Sequence, residues 1–165
     1  VWERGAPASP GVAAIAEDAD NSVLAGALQG ARGVRDVFTA TGAPILPGAS
    51  ASFVVESGLF ANRLSLLTML VNTNDAFTGL DSVPLFPFGL FGTTFYVDAY
   101  DAGSERNTEL AAHIPGPCCG NPGAGVDENG VVSHHPGILG VGDLSAAVYG
   151  WNDPVAKITV APAFG

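Results

Sequence analysis

Apolar and polar positions change rhythm once along this chain, near residue 32. Before it, VAAIA and LAGAL supply apolar faces on either side of an EDADN break, and Ser9 followed by Pro10 makes a helix start. The pattern predicts two short helices, the second starting near Asn21 and closed by Gly30. After residue 32 the punctuation is that of a β protein. GVRDVFTAT, PILPG, ASFVVES, RLSLLTMLV, TTFYVDA and VAKITVA are short runs of β-branched, aromatic and apolar residues between Gly, Pro and Asn turns. ASFVVES alternates enough to predict one wet face, whereas LSLLTMLV is continuous and is expected in the core. The later connections lack helical periodicity, which favours an antiparallel sandwich over a βαβ sheet. From His113 to Gly142 the chain is rich in Gly and Pro, and a long ordered loop is expected there.

Composition narrows the function classes. The 165 residues are 47% hydrophobic and only 13% charged, a profile of one folded domain and not of a disordered chain. Sixteen acidic against six basic residues give a net charge of −10, which argues against nucleic-acid phosphate or an anionic lipid surface as partner. Cations, or a basic protein surface, fit better. No apolar run approaches the roughly 20 residues that span a bilayer, so no transmembrane segment is expected. The chain begins at Val1 without a signal-like segment and reads as a processed form or a portion of a longer product, compatible with secretion.

Chemistry concentrates between Val71 and Glu109. VNTNDAFTGL and YDAGSERNTE place Asp75, Asp101 and Glu105 in polar turns at the ends of hydrophobic runs, where acidic oxygens can converge on one hard cation. Three carboxylates brought together would repel and raise one another's pKa, so the arrangement is favourable mainly around a cation. The alternative is that Asp75 and Asp101 are turn residues capping local backbone donors. Cys118 and Cys119 are adjacent. They read as a vicinal disulfide, as two thiols, or as half-cystines paired with another chain, and no third ligand stands at zinc spacing. His113, His134 and His135 lack Glu-x-x-His or His-x-x-x-His spacing and read as hydrogen-bonded structure. There is no Gly-x-Ser-x-Gly elbow, Lys157 lies inside a strand run, and GVGDL reads as a turn that could bring Asp143 toward the metal end. No enzyme is expected. LFPFGLFGTTFY packs in the core or, through Phe86, Phe88 and Phe91, forms a binding tip.

The succession GAPASPGVAAIAED, ILPGASASFVVE, LSLLTMLVNTNDAFTGL, YDAGSERNTE, HHPGILGVGDL and PVAKITV resembles the spondin domain of F-spondin, mindin and many bacterial secreted proteins. The likeness runs from about Gly5 to Val160, and ASPGVAAIAED and HPGILGVGDL belong to the bacterial form. It implies a secreted single-domain antiparallel β-sandwich with Ca2+ held by loops at one end. Residue by residue, the family's metal-binding positions fall on Asp75, Asp101 and Glu105, the last an aspartate in animal members. Glutamate there can still ligate calcium, even bidentately. The implied role is binding or adhesion at the cell exterior, with a protein or glycan ligand. The second expectation is a structural subunit of an extracellular filament or complex, because family members carry a further first strand that this chain lacks. That strand would come from a longer chain or be donated by another.

Overall fold

The structure is a computed structural model that describes residues 1–85, 92–120 and 125–163. It is mainly β, with two sheets and few helices. The helical part forms where it was expected. Helix α1 is Pro10–Asp18, with Ser9 as its cap: the Ser9 Oγ accepts from the Val12 amide at 3.4 Å, and Pro10 occupies the first turn. Its other end closes on Ala19 in the left-handed region, with the Asp20 amide reaching back to the Ala14 carbonyl at 3.0 Å, a Schellman closure. Helix α2 is Ser22–Leu28 and ends just before Gly30, whose φ is +77°.

One sheet carries the order β1-β2-β4-β5, built from β1 Arg63–Met69, β2 Ala76–Pro84, β4 Tyr100–Asp101 and β5 Ser133–His134, all antiparallel. The other pairs β3 Thr93–Val97 with β6 Ala156–Val160. A further short helix, α3 Ala146–Tyr149, and a 3-10 turn at Ala111–His113 punctuate the late loops. Two residues of β1, Leu64 and Leu66, bracket a register shift against β2. On the β2 side Ser82 takes φ +51°, and its amide donates to Ser65 Oγ at 3.0 Å. Gly79 is required in this pair, since a Cβ there would run into the Leu66 carbonyl.

Strand β2 is the centre of the molecule. Ala76, Phe77, Thr78, Gly79 and Leu80 are all buried. Phe77 joins Val12, Ala16, Ala102 and Val132 in a core under α1, with Trp2 and Tyr100 packed against it. Trp2 meets Phe77 edge to face at 5.2 Å between ring centroids, and a geometry of that kind adds to the area buried. On the opposite face Thr78 Oγ1 donates to the Asp98 carbonyl at 2.7 Å and ties the exit of β3 to the first sheet. A second apolar cluster, Ile114, Ile138 and Leu144, gathers Cys118, Cys119, Tyr149 and Trp151 around it. Cys118 and Cys119 are joined to each other, which settles their alternatives in favour of the vicinal disulfide.

Two expectations about strands need correction. No strand is expected over AFTGLDSVP, whose first residues belong to the polar-turn segment VNTNDAFTGL. That stretch is nevertheless β2, the most buried strand. Conversely, GVRDVFTAT, PILPG and ASFVVES form no ladder: among the described residues, 31–57 holds no helix or strand and is largely exposed. Their β-prone residues lack a partner edge, and a strand is stable only when its backbone groups are paired. Among the described residues from His113 to Gly142 lie the end of the 3-10 turn, β5 and Asp127, which forms an isolated bridge with Glu105. Phe86, Phe88 and Phe91 lie outside the described residues.

Candidate metal centre

The turn 72–75 between β1 and β2 spends each of its side chains on a specific partner. Asn72 Oδ1 accepts from the Cys118 amide at 2.9 Å. Thr73 Oγ1 donates to the Leu70 carbonyl at 2.5 Å and accepts from the Ala76 amide at 3.1 Å, closing the turn on itself. Asn74 is 2% exposed; its Oδ1 accepts from the Glu109 amide at 3.2 Å and its Nδ2 donates to Thr108 Oγ1 and the His113 carbonyl. With three neighbours so anchored, Asp75 has no freedom to leave the interior, and its exposure is 0%.

The second turn, 101–105, is carried beside the first by the pairing of Ala76 with Asp101 in β2 and β4. It bends at Gly103, where φ is +68° and a Cβ would strike the backbone at Val131. That bend points successive amides at the first turn. Asp75 Oδ2 accepts from the Ser104 amide at 2.8 Å, the Ser104 hydroxyl at 3.2 Å and the Glu105 amide at 3.0 Å. Asp75 Oδ1 is buried and has no hydrogen-bond partner among the described residues. Burial first, and the Asp101 charge second, push the Asp75 pKa up to about 7, and the three donors on Oδ2 oppose the shift only in part.

Asp101 is oriented from both sides. Its Oδ1 accepts from the Gly103 amide at 2.6 Å and its Oδ2 from Asn107 Nδ2. Asn107 Oδ1 in turn meets His135 Nε2 at 3.0 Å, and His135 Nδ1 lies 3.0 Å from the Gly137 amide. An amide can only donate, so Nδ1 accepts and Nε2 carries the proton. The relay from Gly137 through His135 and Asn107 to Asp101 therefore has one direction, with a neutral imidazole. Burial agrees, since it lowers the His135 pKa more than the surrounding carboxylates raise it.

Of the three expected ligands, Asp75 and Asp101 stand on neighbouring turns through the pairing of Ala76 with Asp101, and the Asp101 charge helps to raise the Asp75 pKa. Glu105 contributes its backbone amide to Asp75, while its carboxylate accepts from the Gly125 amide at 2.6 Å. Burial raises the Glu105 pKa, and the acids that act on it are Glu17, Asp18 and Asp127 rather than the other two candidates. Among the described residues no group of three or more His, Cys, Asp and Glu stands ready-made around a metal position. A hard cation at the pair would take its remaining oxygens from backbone carbonyls and water. The residues fit such an ion: every donor is oxygen, and among the described residues the buried Asp75 Oδ1 has no hydrogen-bond partner.

The other candidates fall into structural places. His113 Nδ1 pairs with Thr108 Oγ1 at 3.0 Å, and the exposed His134 with Asp153 at 2.5 Å. Asp143 stays with the loop at Glu109, accepting from the Ala111 amide at 2.9 Å, and does not reach Asp75. Lys157 stands in β6 opposite Tyr96. Glu109, not singled out in the sequence, proves to be a principal fastening. It is 4% exposed at φ +53°, and its carboxylate gathers the consecutive amides of Leu139, Gly140 and Val141 at 2.6, 2.7 and 2.8 Å. Such a row of amides is an anion-binding nest filled by the protein's own side chain. Its only sequence signal is one more acid at the end of YDAGSERNTE, with partners some thirty residues away. Among the described residues no helix is long and apolar enough to cross a membrane. No protein-family model matches the chain, and no curated protein matches it either.

Proposed function

We propose that the chain is a secreted calcium-binding module of β-sandwich type that works by binding or adhesion at the bacterial cell exterior, without catalysis. The observation that carries the reading is Asp75 Oδ1, a buried carboxyl oxygen with no partner among the described residues, on a turn paired beside the oriented carboxylate of Asp101. A divalent cation there supplies positive charge to both acids and cross-links the turn 72–75 to the turn 101–105. Asp75 and Asp101 hold the ion. Glu105 supports the same turn through its amide on Asp75 and braces the neighbouring loop through Gly125. The ordered loops then present a fixed surface to an extracellular protein or glycan.

Three features support the surroundings of this reading. The two antiparallel sheets suit the layers of a sandwich. The Cys118–Cys119 bond suits an oxidising compartment. The histidines are committed to hydrogen bonds with Thr108, Asp153 and Asn107. The test is a calcium titration of the wild-type chain and of Asp75→Asn followed by calorimetry. A saturable heat in the wild type that disappears in the variant is the expected result, with a dissociation constant on the order of 0.1 to 1 mM for an extracellular site. Equal binding by both chains would remove Asp75 from the site.

A further inference from the structure

The disulfide joins Cys118 to Cys119, its neighbour in sequence. In the chain-entropy account a disulfide stabilises a fold by closing a loop of the unfolded chain, and a bond between neighbours closes none. Its consequence is therefore local: it fixes the peptide unit between the two residues inside a small covalent ring. What depends on that ring is decided by the residues packed on it.

The turn 116–120 is built tightly around the bond. The Cys119 and Gly120 amides both donate to the Gly116 carbonyl, at 3.1 and 2.9 Å. Gly116 is pressed onto Asn72, where a Cβ would run into the Asn72 amide nitrogen and Oδ1. The Cys118 amide donates to that same Oδ1 at 2.9 Å. Both cysteines are half-buried and pack against Ile114, Ile138 and Leu144, while Pro117 and Gly120 on either side are exposed and leave the turn open to a small reductant. Asn72 stands at φ +67°, in the left-handed region, a conformation that its contacts must hold. This residue opens the turn 72–75, which ends on Asp75. The covalent ring therefore supports, through the Cys118 amide and Gly116, the turn that keeps Asp75 inside.

We propose that Cys118–Cys119 is a reducible site that latches the turn 72–75, so that a dithiol reductant releases the turn and weakens the cation site. The effect on calcium rests on the reading of Asp75 and Asp101 as that site, whereas the latch itself does not. The reaction is thiol–disulfide exchange. A thiolate of the reductant attacks one sulfur, the Cys118–Cys119 bond breaks, and the other cysteine leaves as a thiolate. The reductant's second thiol then displaces the first cysteine and closes the reductant's own disulfide. Two electrons pass to the protein, and its two thiolates take up the two protons that the reductant gives up. With the ring open, the Cys118 amide is no longer held toward Asn72. Linkage demands the converse: calcium favours the latched form and makes the bond harder to reduce, by the same factor by which oxidation tightens calcium.

The experiment is a calorimetric calcium titration, together with amide hydrogen exchange in chelator, on the oxidised chain, the chain reduced with dithiothreitol, and Asn72→Gly in both redox states. Asn72→Gly removes the acceptor and puts in a residue that adopts positive φ without strain. Alkylation and mass measurement count the free thiols in each sample. Reduction is expected to weaken calcium binding by about fivefold or more. It also speeds exchange at the Ser104, Glu105 and Glu109 amides, whose acceptors are Asp75 and Asn74, while the β3–β6 ladder keeps its protection. Asn72→Gly binds calcium equally weakly in either redox state. Equal calcium affinity of the oxidised and reduced wild type overturns the proposal, as does a bond that dithiothreitol leaves intact in the folded chain. Protection lost throughout, β3–β6 included, makes the bond a general staple and overturns it too. An oxidised chain that binds no calcium removes the calcium reading and with it the effect on the ion. Exchange then decides the latch, which is overturned if those three amides stay protected after reduction.

Discussion

His135 Nε2 donates to Asn107 Oδ1 at 3.0 Å, and the Asn107 amide donates onward to Asp101, so an imidazole 2% exposed sets the direction of a carboxylate more than thirty residues earlier. The pair of adjacent histidines is therefore split in role. His134 holds Asp153 at the surface, whereas His135 stands behind the candidate metal centre and under Trp151, whose ring lies 5.4 Å away. Both histidines are hydrogen-bonded structure, as their sequence context suggests, but only His135 is linked through Asn107 to Asp101.

His135→Ala and Asn107→Ala each leave a buried polar group unmatched and should cost about 1–3 kcal/mol of stability. Both should also weaken calcium binding, because Asp101 loses its orientation. The double variant should lose less than the sum of the two, since they act through one chain of bonds. Urea unfolding and calcium titration of the three proteins check this. Additive losses would show that the two residues act separately.

Glu109→Gln keeps the size of the side chain and removes its charge. Three charge-assisted amide bonds to Leu139, Gly140 and Val141 then become ordinary or unmade ones. The expected loss is about 1–3 kcal/mol in urea unfolding. Trp151 packs on the Ile114, Ile138 and Leu144 cluster beside this loop, so its fluorescence should shift along with the transition.

Stability should depend on pH with opposite signs at two places. The folded-state pKa of Asp75 is raised from 3.8 to about 7, so between these values the native state binds the proton that the unfolded chain has released. Without calcium, stability therefore falls as pH rises from about 4 to about 7. Calcium takes the proton's place, so the fall should flatten and apparent calcium affinity should rise through the same window. His135 behaves in the other sense. Its folded pKa is depressed below 6.5, which makes its contribution complete above that value and lost as pH falls beneath it. Melting points from pH 4 to 8, in calcium and in chelator, separate the two, with Asp75→Asn reducing the first slope to the part left by the raised Glu105 pKa and His135→Ala reducing the second.

Much of the fold lies in local signals. Ser9-Pro10 and Gly30 bracket the helices, and β1, β3 and β6 follow apolar, aromatic or β-branched runs whose partners are present. Strand β2 was hidden because its burial comes from α1 and β1, while its own Gly79, Asp81 and Pro84 speak for turn; Gly79 is there to admit the Leu66 carbonyl. The segment 33–57 misled in the opposite sense, since β propensity describes a residue's fit to a sheet and does not provide one. At the candidate site, Asp75 and Asp101 were legible as acids in polar turns beside strands. Asn107, His135 and Glu109 were not, because each acts through a partner about thirty residues distant that no local pattern specifies.

The central claim is that Asp75 and Asp101 form a cation site, and the measurement that bears on it most directly is a thermal melt at pH 7 in millimolar calcium and in excess chelator, for wild type and Asp75→Asn. A ligand bound only by the folded state must raise the midpoint. The account predicts a calcium-dependent rise in the wild type. In Asp75→Asn the rise should vanish, and the variant's midpoint in chelator should be at or above the wild type's, because a buried carboxylate has been neutralised. A wild-type midpoint indifferent to calcium, or a rise that survives in Asp75→Asn, would contradict it and reduce the two aspartates to turn residues.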